Sequence, residues 1–181
     1  MRNILIIIFI TLGVTAGLKL EAQNVPRHEI GLRLTGLEDF DFIYKQEKAS
    51  QKFFRHRIGL INFGVNGKDN NSVFEFGLGY AFGIENRKVI NDKLKFIHGF
   101  EPRILSQYRS MDGNTIGWGL QLGLGYVLGF QYDFAESFYV GIETIPAVTY
   151  ARELEGQNKG AYNFDVGFNS SAVALTLAYR F

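Results

Sequence analysis

From Ile116 to Tyr132, large apolar residues take every second position. Ile116, Trp118, Leu120, Leu122, Leu124, Tyr126, Leu128, Phe130 and Tyr132 alternate with Gly117, Gly119, Gln121, Gly123, Gly125, Val127, Gly129 and Gln131. Period two belongs to a strand, because successive side chains point to opposite faces. At about 3.4 Å per residue this strand is about 55 Å long, well beyond the usual globular strand of about 5–6 residues. That length suits a tilted strand that crosses a bilayer and continues past it.

The pattern recurs along the chain. Ile30, Leu32 and Leu34 alternate with Glu29, Gly31, Arg33 and Thr35, and Phe40, Phe42 and Tyr44 with Asp39, Asp41, Ile43 and Lys45. Phe74 to Ile84 repeats it against Glu75, Gly77, Gly79, Ala81 and Gly83. Phe138, Val140 and Ile142 do the same, as do Val173, Leu175, Leu177, Tyr179 and Phe181 at the end. Between Leu60 and Phe63 the phase switches, which predicts a bulge. Pro102 and Pro146 cannot donate to a ladder and are expected at bulges or beyond the apolar band.

The chemistry of the two faces decides the class. One row is continuous Phe, Leu, Ile and Tyr; the other is Gly and Ala with scattered charges. Small residues suit a narrow interior, and Gly makes a poor solvent-facing strand residue. The apolar row is therefore expected to face lipid, the arrangement of a membrane barrel. A soluble exported barrel, with the apolar row inside, is the alternative. The expected fold is all-β: a transmembrane antiparallel up-and-down β-barrel.

An export signal accompanies it. Arg2 precedes an apolar stretch from Ile4 to Val14, which is too short to span a bilayer and suits a signal h-region. Residues 1–22 read as a signal peptide and 23–181 as the barrel domain, with cleavage after Ala22; cleavage after Ala16 is the alternative. The chain has no Cys, which excludes disulfides, a thiol nucleophile and a lipidated cysteine. Nineteen Lys and Arg balance 18 Asp and Glu, so no basic nucleic-acid footprint is present.

The last strand ends in Phe181, preceded by Tyr179, Leu177 and Leu175. This end resembles the terminal-strand signal of bacterial outer-membrane barrels. The resemblance implies that Tyr179 and Phe181 are read by the barrel-assembly machinery. Segments 40–45, 83–88, 94–99, 128–146 and 171–181 resemble the small Bacteroidota outer-membrane β-barrel proteins, and the Ala22-Gln23 junction resembles signal peptides of that group. The likeness implies a fold and an outer-membrane location only.

Strands are expected at 28–37, 39–46, 52–65, 73–85, 93–106, 115–133, 137–151 and 171–181, eight in all. Short turns at 47–51, 86–92 and 134–136 face the periplasm. Tyr162, Phe164, Val166 and Phe168 also alternate, so the last outer loop can extend as a β-ribbon, and a ten-strand count is the alternative. The lysines and Arg87 around the 86–92 turn read as a solvated basic cluster that could contact anionic headgroups.

Eight strands enclose a lumen just wide enough for side chains to fill. Glu29, Glu75, Glu101 and Glu143 are expected to face Arg33, Arg57, Arg103 and Arg180 in an internal ion-pair network, because an unpaired buried charge is costly. His28, His56 and His98 show no metal-ligand spacing. Ser110 and Asp112 share an outer turn with no histidine beside them, so no catalytic group is expected, and no cofactor. The expected protein is a monomer among outer-membrane lipid, with no nucleic-acid partner, acting structurally or through its loops. A narrow channel is the second reading and a lipid-modifying enzyme the third.

Overall fold

The alternating segments form ten antiparallel strands in a computed structural model that describes residues 27–35, 40–68, 71–167 and 173–181. They are β1 (His28–Leu34), β2 (Phe40–Ala49), β3 (Lys52–Lys68), β4 (Asn71–Val89), β5 (Leu94–Met111), β6 (Asn114–Asp133), β7 (Phe138–Thr144), β8 (Ala147–Gly156), β9 (Tyr162–Gly167) and β10 (Val173–Arg180). The ten pieces make eight staves. β7 and β8 pair with the same strand, β6, at Leu128–Asp133 and at Gly117–Gly125. β10 pairs with β7 and β9 with β8, so these two likewise form one stave. Pairing of β1 with β10 and of β5 with β6 closes the ring. The result is a closed eight-stave up-and-down barrel. The residues expected to form a signal peptide, and the turn expected near Glu38, lie outside the described residues.

Local chemistry explains the joints. The β5–β6 hairpin turns at Asp112-Gly113, both with positive φ (50° and 78°), as a two-residue turn demands. The expected phase switch is a register shift between Leu60 and Asn62. Neither proline marks a bulge. Pro102 lies in register opposite Leu124, exposed on the outer face between Phe100 and Ile104. Toward β4 the rungs lapse between Ala81–Arg103 and Ile84–Phe100, with the register unchanged on either side. Pro146 separates β7 from β8, again without a register shift against β6, and its carbonyl accepts from the Tyr126 N–H at 2.9 Å. Each proline forfeits a donor rather than inserting a residue, because the strand on both sides is held by its other neighbours.

Several strands outrun the sequence reading. β4 continues to Val89 and β5 to Met111, and β8 with β9 forms the ribbon that was expected as an option. At about 3.4 Å per residue and a tilt of about 40°, the longest staves rise about 50 Å, roughly twice an apolar band of about 25 Å. β1 has only 7 residues.

Glycine lets the staves approach where the lumen is tightest. A Cβ on Gly99 would strike the Ile84 carbonyl oxygen, whereas one on Gly117 would meet nothing within 4 Å. Gly99→Ala is therefore expected to cost about 1–3 kcal/mol through overpacking, and Gly117→Ala to be near neutral. Urea titration of the micelle-refolded protein, read at the unfolding midpoint, checks the contrast.

Candidate functional site: the ion-paired lumen

Odd-numbered positions on β1, β2, β4, β5 and β7 point inward, so parity puts their charges on the lumen side. Arg55, fully buried on β3, is the hub. Its guanidinium lies 3.2 Å from Glu85 on β4, 2.9 Å from Glu101 on β5 and 2.9 Å from Glu143 on β7. Glu143 also accepts from Arg33, which donates to Asp41 at 3.2 Å. Arg57 donates to Asp41 at 2.6 Å and to Glu101 at 2.7 Å. Lys45 sits 2.8 Å from Glu85.

Nearer the end that carries His28 and Phe181, Arg87 forks onto both oxygens of Glu29 at 2.8 and 2.6 Å and reaches Glu85 at 2.8 Å. The Tyr139 hydroxyl donates to Glu29 at 2.8 Å, and the Phe53 ring lies 3.6 Å from the Arg87 guanidinium. Arg180 joins Glu29 to Asp133, each at 3.2 Å, and Lys95 holds Asp133 at 2.6 Å. Seven cations (Arg33, Lys45, Arg55, Arg57, Arg87, Lys95, Arg180) thus interlock with six carboxylates (Glu29, Asp41, Glu85, Glu101, Asp133, Glu143) among the described residues. Bidentate, charge-assisted bonds of this kind are the strong ones.

The structure brings together six of the eight residues expected in the network: Glu29, Arg33, Arg57, Glu101, Glu143 and Arg180. Two stand apart. Glu75 pairs with Arg109 at 2.6 Å near the opposite rim, where the arginine side chain is 59% exposed. No carboxylate among the described residues lies within 4 Å of Arg103, which sits against Gly123 above the network. Arg55, Lys45, Glu85, Arg87, Asp41, Lys95 and Asp133 were not expected there. The basic stretch at 87–95 is not wholly a solvated turn: Arg87 and Lys95 are buried in the lumen, and Lys88 and Lys93 are exposed.

Above the network the inward positions become small and wetter. Gly117, Gly119, Gln107, Arg109 and Glu153 border an outward-opening cleft of about 420 Å³. The histidines lie on the outer face instead. Each ring Nδ1 is within hydrogen-bond distance of a tyrosine hydroxyl: His28 with Tyr44 at 2.6 Å, His56 with Tyr80 at 2.8 Å and His98 with Tyr126 at 3.2 Å. Asp112 accepts from the Ser72 N–H at 2.7 Å, a bond that ties neighbouring hairpins together.

No protein-family model matches the chain, and no curated protein does. Among solved structures it is similar to Neisserial surface protein A, at 10% identity over 86% of this chain and 92% of that one, with a TM-score of 0.45. It is also similar to Ail, the attachment invasion locus protein of Yersinia pestis, at 13% identity over 86% and 95%, with the same score. At these values the closure of the barrel rests on the strand register of this chain itself.

Removing Arg55 leaves three buried carboxylates short of a cation. Arg55→Ala is expected to destabilise the barrel by about 3–5 kcal/mol. Arg109→Ala removes an exposed pair and is expected to cost about 0–1 kcal/mol. Arg103→Ala is expected to fall below Arg57→Ala. Urea midpoints of the four refolded variants give the order.

Proposed function

We propose that this chain is an exported, integral outer-membrane β-barrel whose lumen is plugged by ion pairs and which works as a scaffold for its outer rim. One observation carries the reading: the polarity of the barrel is inverted. Charged side chains such as Arg55, Glu85 and Glu101 are buried inside, while Ile30, Phe42, Ile58, Leu78, Ile84, Ile104, Leu122, Leu124, Ile142 and Leu177 are exposed around the outside. Water would not tolerate so large a continuous apolar surface, and lipid requires it.

The export signal in residues 1–22, the terminal Tyr179 and Phe181 as assembly signal, monomeric residence in lipid and membership of the small Bacteroidota barrels complete the proposal. The alternation and the C-terminal aromatic support it. A non-catalytic role is favoured because the histidines are engaged on the lipid side, away from the cleft. The cleft keeps small-solute binding as a second reading.

The mature protein is expected to resist carbonate extraction and to migrate faster on a gel before boiling than after. In planar bilayers it is expected to show little conductance, since interlocked cation–carboxylate pairs fill the lumen. Recovery as a soluble monomer without detergent would contradict membrane residence. Large steady single-channel currents would contradict the plug.

A further inference from the structure

The 86–95 basic segment is divided by strand parity, and its outward half has no role in the lumen. Lys88 and Lys93 are exposed at the short-turn end of the barrel. Lys48 and Lys52, from the neighbouring β2–β3 turn, are exposed beside them. The backbone joins the two turns: Lys52 pairs with Asn86, and the Arg87 N–H donates to the Gln51 carbonyl at 2.9 Å. None of the four ammonium groups has a carboxylate within 4 Å among the described residues. Asp92 and Glu47 lie in the same turns, and Glu47 leans toward Arg27 at 3.9 Å, so the cluster keeps a net positive charge.

An apolar surface begins directly above these lysines. Phe54 and Phe82 meet at 5.4 Å, Phe96 stacks on His98 at 5.8 Å, and Ile84 is exposed between them. The Lys48 ammonium lies 5.3 Å from the Phe54 ring, at the boundary between the two zones. The opposite side of the same rim is built differently. Tyr132, Phe134, Phe138 and Phe181 are exposed there, Glu136 is the charge in the turn, and Arg180 points into the lumen.

We propose that Lys48, Lys52, Lys88 and Lys93 form a one-sided site for the headgroup of an anionic phospholipid, whose acyl chains lie along the Phe54, Phe82, Ile84 and Phe96 surface. This rests on the membrane-spanning reading. The chemistry is that of ammonium groups at a lipid–water boundary, each attracting an anionic surface by about 1 kcal/mol, with aromatic side chains fixing the depth. The aromatic, lysine-free side has no such attraction, so the site selects lipid on β2–β5 alone.

The test compares wild type with a variant carrying Lys48→Gln, Lys52→Gln, Lys88→Gln and Lys93→Gln, both in nanodiscs of phosphatidylcholine with a minority of phosphatidylglycerol. Native mass spectrometry counts the lipids each protein retains on release. Wild type is expected to retain phosphatidylglycerol over phosphatidylcholine by at least about fivefold, the factor that one such ammonium contributes. The variant is expected to lose that preference while still inserting and keeping its gel shift on boiling. Lys159→Gln, at the opposite rim, is expected to behave as wild type. Equal retention by wild type and variant, both inserted, overturns the site and leaves the membrane reading intact. Failure of wild type to enter nanodiscs overturns both.

Discussion

Arg55 lies within 3.2 Å of carboxylates from three different staves, with no water-exposed surface of its own. A buried guanidinium is tolerable only when it is matched in charge and geometry, and so is each carboxylate it touches. Those carboxylates are matched in turn by Arg33, Lys45, Arg57 and Arg87. The barrel diameter follows from this. Eight staves bring long side chains from opposite walls into contact. The glycines on the same rows leave them room: Gly83 lies against the Arg55 stem, where even a Cβ would crowd it.

The outside obeys the complementary constraint. In hydrocarbon every backbone polar group needs an internal partner, so a sheet must close. Closure is reached despite two prolines, each omitting a donor within a register that its neighbours preserve. Polar groups on the outer face are paired in the same spirit. Each histidine there shares a hydrogen bond with a tyrosine from the adjacent strand. The staves then continue beyond the band, where the pairing relaxes: Arg109 and Glu75 meet in partly exposed surroundings, and the cleft bordered by Gly117 and Gly119 opens outward.

Much of this was legible in the amino-acid order, because period two assigns every residue to a face. The strand from Ile116 to Tyr132, the bulge after Leu60 and the inward placement of Glu29, Arg33, Glu101 and Glu143 all follow from parity. What parity does not provide is height. Glu75 and Glu85 share a row on β4, yet one lies at the open rim and the other in the sealed half. Arg103 shares a row with Glu101 but lies above the network, so it finds no partner there. Lys45 lies on the inward row at the end of its alternating run, and Arg55 lies in a strand whose phase the bulge blurs. Glu85 closes the expected strand at 73–85, and Arg87 lies in the expected turn at 86–92. A run of charged residues before a turn looks like loop, although the alternation from Gly77 through Gly83 continues into both.

The central claim is that the apolar row faces lipid while the glycine row of the same strand faces a lumen open at one end. The absence of native cysteine allows it to be read directly. Single substitutions Leu122→Cys, Leu124→Cys, Leu128→Cys and Phe130→Cys on the outer face, and Gly117→Cys and Gly119→Cys at the cleft, can each carry a spin label in a reconstituted bilayer. The account predicts that relaxation at the four outer positions responds to lipid-dissolved oxygen and not to a water-soluble nickel chelate, while the two cleft positions respond to the chelate. Relaxation by the chelate at Leu124 and Leu128, with oxygen favoured at neither, would contradict it.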